Sequence, residues 1–179
     1  MLHAREHLPQ AYVWLRPPRA VRQALAQHRD QWWWPEGHHQ PRADRLHLTL
    51  HALGPLTDDE LGEVDRALKR ARHPRFDLSL AWSGLHERFD LAIACPAPNA
   101  TLYLLHERLR VCMPGWVHGR RSRWRPHVTL AWDTPCAGIA ALDPIAWPVD
   151  SFSLVRSWLQ DDRVEHDELA RYELQGESV

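Results

Sequence analysis

The sequence is short of cysteine, has almost no lysine and contains no long apolar run. Its three cysteines, Cys95, Cys112 and Cys136, are odd in number and widely spaced, with no CxxC pair and no zinc-knuckle spacing. They therefore build neither a disulfide framework nor a metal knuckle and are expected to be free buried thiols. No apolar stretch approaches the ~20 residues that cross a bilayer. The opening residues, Met1 to Glu6, hold no signal-peptide core, so a cytoplasmic protein with no membrane association is expected. The formal net charge is -1, whereas a protein that coats nucleic acid non-specifically is basic. Any polyanion must be met by a local patch. Lys69 is the only lysine, and the remaining basic charge is arginine. That choice suits bidentate phosphate contacts, and a bias in genomic base composition accounts for it equally well. There is also no low-complexity tract and no flexible interdomain linker.

What is present is an ordinary globular composition, 44% apolar and 25% charged over 179 residues. It fits one domain, or two small lobes sharing one sheet system. A chain of this length buries roughly 70% of its unfolded surface.

One hexapeptide comes twice. Residues 45–50 read Arg-Leu-His-Leu-Thr-Leu, and residues 125–130 read Arg-Pro-His-Val-Thr-Leu. Side chains alternate along a strand, so positions i and i+2 share a face. His47 and Thr49 then face one way and Leu48 and Leu50 the other; His127 and Thr129 stand the same way against Val128 and Leu130. Each copy reads as a strand with an apolar buried face and a polar face carrying an imidazole and a hydroxyl. Side by side, the two strands supply an acid, a base and two hydrogen-bond donors around one phosphate.

The surrounding pattern places both copies. Residues 11–15 form a buried strand, and Pro17-Pro18 opens a helix with Val21, Ala24, Leu25 and His28 on one face; Trp32 to Pro35 end it. A polar loop with His38 and His39 leads to the first motif strand, residues 46–53, closed by Gly54-Pro55. Thr57-Asp58-Asp59-Glu60 is a capping box before a helix with Leu61, Val64, Leu68 and Ala71 inward. Residues 76–82 alternate strictly, 84–87 turn, and 89–95 alternate again as a hairpin partner. Asn99 caps a third helix with Leu102, Leu105, Leu109 and Met113 inward, ended by Gly115. A basic loop over 119–125 precedes the second motif strand, which runs to Trp132. Residues 134–148 read as loop, 149–159 as strand, 161–168 as an acidic turn and 171–174 as a last short strand.

The two copies, LHLTLHALG at 46–54 and RPHVTLAW at 125–132, resemble the signature of the two-histidine phosphoesterase superfamily, closest to its bacterial RNA 2',3'-cyclic phosphodiesterase and 2'-5' RNA ligase branch. The likeness covers most of the chain. It implies an α+β fold in which residues 1–179 form a single bilobal domain: two pseudo-symmetric antiparallel-sheet lobes with outer helices around a central groove. It implies His47 and His127 as the catalytic pair and Thr49 and Thr129 as phosphate-binding residues. Relatives often carry Arg after the second motif, as HxTLxR; here that position is Trp132. A phosphate-contacting guanidinium is then either missing or replaced by Arg125, Arg123 or Arg121 of the basic loop. Trp124 falls where relatives carry an aromatic residue, which either stacks on a base or packs. Arg125, Arg123, Trp124 and Trp132 are thus candidate substrate contacts.

Histidine titrates near neutrality, and opening a cyclic phosphodiester needs a base for water and an acid for the leaving ribose oxygen. Two histidines supply both, so neither metal nor other cofactor is expected. His47 is assigned as proton donor and His127 as proton acceptor. The leading reading is hydrolysis of RNA 2',3'-cyclic phosphate ends to 2'-phosphate, with 2'-5' ligation as the reverse use of the site. A second reading is a cyclic phosphodiesterase for small nucleotides such as ADP-ribose cyclic phosphate. A third is a non-catalytic RNA-end binding protein. RNA ends or cyclic nucleotides are the expected partners, with a monomer and no obligate protein partner.

Several other residues have blander readings. His51 shares the face of His47 and invites a metal site, but the ligand clustering typical of catalytic zinc is missing. His38 and His39 read as solvated loop residues. Trp82, Trp147 and Trp158 read as core, Tyr172 as structural, and Trp32 to Trp34 as packing between lobes or lining a cleft.

Overall fold

Alternation in strands and 3.6-residue periodicity in helices give a sheet with helices on one face. The computed structural model describes residues 9–86, 90–117, 124–160 and 163–175. In chain order the elements are β1 (Gln10–Leu15), α1 (Arg19–Arg29), β2 (Leu48–Pro55), α2 (Asp58–Leu68), β3 (Phe76–His86), β4 (Leu91–Pro96), α3 (Ala100–Cys112), β5 (Val128–Ala131), β6 (Ile145–Val149), β7 (Ser151–Gln160) and β8 (Arg163–Glu173). The eight strands form one antiparallel sheet in the order β6-β3-β4-β5-β2-β1-β7-β8.

That order is two four-stranded halves, β6-β3-β4-β5 and β2-β1-β7-β8, meeting at the two motif strands. The halves match: β1-α1-β2 builds one inner edge and β4-α3-β5 the other. They join at a single residue pair, Leu48 with Val128. The expected α+β architecture, with two similar lobes around a groove, is therefore realised as one continuous sheet.

The core lies on the helix side. Leu48, Leu50, Val128 and Leu130 are all buried, as are Val21 and Leu25 of α1 and Leu102, Leu105 and Leu109 of α3. Helix α2 starts on the expected capping box: the Thr57 hydroxyl accepts from the Glu60 amide, and the Glu60 carboxylate accepts from the Thr57 amide at 2.8 Å. Asn99 caps α3 by accepting from Leu102 N–H at 2.9 Å. Gly54 (φ +80°) sits where β2 bulges against β1, a backbone state that glycine adopts without a Cβ clash. Strand β2 therefore continues to Pro55 where the sequence suggested a stop.

Both rims of the sheet depart from the sequence expectation. Residues 145–148, expected as loop, belong to β6 (Ile145–Val149), and residues 163–173, expected as acidic turn and short strand, are one long strand. These are the two edge strands. Proline and charge are tolerated at an edge and protect it from pairing with other chains, so Pro148 and the run Glu165, Asp167, Glu168 conceal strands. Strand β3 runs on to His86, and Glu87, the last residue of the expected turn, lies outside the described residues. Trp147 is core, but Trp82 is half exposed and Trp158 is only partly covered. Of the cysteines only Cys95 is buried; Cys112 is partly covered and Cys136 exposed.

Tyr172 is structural, as expected: its hydroxyl donates to Asp65 at 2.8 Å, tying β8 to α2. Among the described residues no helix is long and apolar enough to cross a membrane.

Candidate active site

His47 and His127 each stand just before their strand, β2 or β5. With Leu48 opposite Val128, antiparallel counting sets His47 across from Thr129 and Thr49 across from His127. The four residues that the repeat singled out are thus brought together at the seam of the two halves.

The two imidazoles are held identically. His47 Nδ1 bonds the carbonyl of Arg45 at 2.8 Å, and His127 Nδ1 bonds the carbonyl of Arg125 at 2.8 Å. A carbonyl only accepts, so Nδ1 carries the proton and Nε2 keeps a lone pair in the neutral ring. Neither Nε2 has a hydrogen-bond partner among the described residues. Both rings leave the same nitrogen, Nε2, open, and the Arg-x-His spacing of the repeat is the reason.

Their surroundings differ. His47 lines a cavity of about 680 Å³ with Trp14, Trp132, Arg45 and His166; His127 lines another of about 660 Å³ with Trp82, Tyr103, Trp124 and Arg125. The Trp14 ring lies 4.1 Å from His47. Burial first, then the nearby His166 and His127, pushes the His47 pKa down to about 4. His127 is shifted the same way by burial, with the His86 charge adding to it and the Arg125 carbonyl opposing it, but less far.

The supporting groups come from distant parts of the chain. Trp124 donates Nε1–H to the carbonyl of Thr49 at 3.0 Å, so the segment before the second motif is pinned to the first. Its ring stacks on His106 at 4.1 Å, and His106 stacks on His51 at 4.3 Å. His51 is thereby committed to a ring stack and to the carbonyl of His106. Among the described residues no group of three or more His, Cys, Asp or Glu is placed to hold a metal. Arg29, buried on α1, donates to the carbonyls of Pro41 and Leu130 and so fixes β5 against the loop before β2.

The remaining candidates divide. Arg125 is exposed at the mouth of the His127 cavity. Arg120, Arg121 and Arg123 lie outside the described residues. Trp132 lines the His47 cavity and pairs with His39 through both backbone amides, at 3.0 and 2.8 Å. His39 is exposed, as expected of a solvated loop residue, and it also lines this cavity. His38 is also engaged, through Pro35, Gln40 and the ring of Trp34. Trp32 is buried while Trp33 is exposed. Sequence reasoning missed Trp14, His39 and His166 as cavity residues. Trp14 carried a signal: it sits on the strand preceding the first motif.

No protein-family model and no curated protein matches the sequence. Solved structures do match. A phosphoesterase superimposes with a TM-score of 0.83 at 24% identity, over 94% of this chain and 99% of that one. Escherichia coli LigT, in its phosphate complex, gives 0.79 at 25% identity over the same shares. A Thermus thermophilus protein gives 0.74 at 25% identity, over 94% of this chain and all of the other. The chain has the fold of these phosphoesterases, and it carries the doubled histidine motif. LigT has also been crystallised with ATP, 3'-AMP and NADP+. The chain described here presents the same whole fold, with its paired motifs at the seam of the sheet.

Proposed function

We propose that this protein is a two-histidine phosphoesterase that hydrolyses RNA 2',3'-cyclic phosphate ends to 2'-phosphates without a metal, and that the same site, with a 5'-hydroxyl in place of water, acts as a 2'-5' RNA ligase. The observation that carries the reading is the matched pair of Nδ1 tethers, which leaves Nε2 open on both histidines, each beside its motif threonine on strands that meet at Leu48 and Val128. Its likeness to LigT, a protein that takes phosphate and nucleotides, supports the substrate class.

In the hydrolytic direction water attacks phosphorus and His127 Nε2 takes its proton. The P–O3' bond breaks as His47 Nε2–H gives a proton to the departing ribose oxygen. The hydroxyls of Thr49 and Thr129 donate to the non-bridging oxygens, whose charge grows in the transition state. In ligation a 5'-hydroxyl replaces water. His47 begins this cycle protonated, and its low pKa means that the charge arrives with the substrate: an anionic phosphate beside the ring favours the imidazolium. Arg125, Arg123, Trp124 and Trp132 are proposed as contacts to the rest of the nucleotide.

The test is turnover of a short RNA ending in a 2',3'-cyclic phosphate, in EDTA, with product regiochemistry read out and a cyclic mononucleotide run alongside. Loss of either histidine to alanine is expected to cost about 10²–10⁴ in rate. Thr49→Val and Thr129→Val are expected to cost roughly 10–100-fold each, the worth of one hydrogen bond to a charged group. Full activity in both histidine variants would sink the mechanism. Turnover of the mononucleotide alone would move the substrate to small cyclic nucleotides, and binding with no turnover would leave an RNA-end binding protein.

A further inference from the structure

One imidazole of the cleft belongs to neither motif. His166 stands on β8, directly opposite Ser157 of β7. The Ser157 Oγ lies 2.6 Å from His166 Nδ1, and Ser157 is buried. The His166 ring is 5.9 Å from His47 and 5.2 Å from Trp14, edge-on to both, and all four residues line the same cavity. His166 Nε2 has no hydrogen-bond partner among the described residues. A histidine kept only for packing or for holding the hairpin has no need to leave one ring nitrogen open on a cavity that it shares with a reactive histidine.

The tether sets the chemistry. His47 and His127 are tied to carbonyls, which only accept, so each offers a lone pair at Nε2. Ser157 is a hydroxyl and can donate. With the hydroxyl donating to Nδ1, the ring proton of His166 sits on Nε2 and faces the cavity. Burial, with the nearby Arg45 guanidinium adding to it and Glu165 opposing it, holds the His166 pKa below its ordinary value, so the ring stays a neutral donor near pH 7. A neutral donor here has a further advantage, because a second imidazolium 5.9 Å from His47 would oppose the charge that His47 must carry.

We propose that His166, oriented by Ser157, is a further substrate-contacting residue of the His47 cavity, donating Nε2–H to a phosphoryl oxygen of the bound nucleotide. This rests on the phosphodiesterase reading and extends it. Trp132 and Trp14 give this cavity aromatic walls, and the His166 donor supplies a phosphate contact in the same cavity.

The experiment compares His166→Asn with His166→Gln. The asparagine amide occupies the Nδ1 position and keeps the Ser157 contact but ends short of Nε2; the glutamine amide reaches the Nε2 position. Affinity for a nucleoside 2'-monophosphate is measured by calorimetry, KM and kcat are measured on the cyclic-phosphate RNA, and each variant is melted. His166→Asn is expected to weaken binding about tenfold or more and to raise KM more than it lowers kcat, and His166→Gln is expected to recover most of the loss. Wild-type affinity in His166→Asn overturns the proposal. So does a loss that tracks a fall in melting temperature and is not recovered by His166→Gln, since that is a structural role. If the wild type binds the monophosphate but turns over no cyclic phosphate, the phosphodiesterase reading fails while the affinity ratios still decide the contact.

Discussion

His47 and His127 share a tether but not an environment, and the difference fixes how the site should respond to pH. Trp14 covers His47 at 4.1 Å, and burial takes its pKa down to about 4, while His127 is lowered by less. The reactive form carries one proton over the two rings. In the free enzyme both are neutral at pH 7, so kcat/KM, which reports the free enzyme, is expected to rise as pH falls below about 6.5. It should fall again near pH 4 as the second ring takes its proton. The profile of kcat reports the bound state, where the phosphate charge raises both pKa values, so its maximum is expected at higher pH than that of kcat/KM. Coincident maxima would show that the substrate does not supply the charge. The direction of proton flow has its own check, a substrate with sulfur in place of the 3' bridging oxygen. A thiolate leaves without a proton, so the His47→Ala enzyme is expected to regain turnover on it and the His127→Ala enzyme to stay slow. The four motif residues were legible because a pattern doubled at strand spacing seldom arises by chance. His166 was not, because a single histidine has no partner in the sequence, and only strand pairing shows what faces what.

Elements were legible to the extent that they face the core or carry a cap. Helix α2 was readable from Thr57 and Glu60 together with Leu61, Val64 and Leu68, and each does what its spacing implies. Thr57→Ala removes the side-chain acceptor for the Glu60 amide and is expected to cost about 1 kcal/mol. Urea unfolding reads this as a lower midpoint at unchanged slope, with the activity per folded molecule untouched because α2 lies on the helix side of the sheet. A change in slope would instead place the effect in the denatured state. The edge strands were illegible for a connected reason. Strand β8 pairs along its whole length with β7, but through polar couples: Ser157 with His166, Ser153 with Glu168 at 3.2 Å, and Arg156 with Asp167 at 3.7 Å. Hydrophobic alternation marks a strand that buries one face in the core. A strand whose outer neighbour is water and whose inner face lines a polar cleft has no such alternation to show. The hairpin that supplies His166 was hidden by the same polarity that makes it useful.

At the scale of the whole molecule, the same burial that tunes the cleft makes the fold acid-sensitive. Six histidines are held below their ordinary pKa, each mainly by burial: His28, His47, His73, His106, His127 and His166. In the unfolded chain all six titrate near 6.5. Between pH 6.5 and the folded values the unfolded state therefore binds more protons than the native one, and stability rises with pH across that window. The contribution is complete above about pH 6.5 and is lost as pH falls, for His47 down to about 4. The carboxylates Asp44, Asp65 and Glu107, held below their ordinary values by the hydrogen bonds and charges of Arg42, Lys69 and Arg110, extend the loss to still lower pH. The melting temperature is expected to be flat from pH 8 to 7 and to drop steadily from pH 6.5 to 4, with a shallower drop in His47→Asn. A melting temperature that holds down to pH 4 would mean that these rings accept protons in the native state. The same result would restore a protonated His47 in the free enzyme, so stability and the pH profile of kcat/KM must move together.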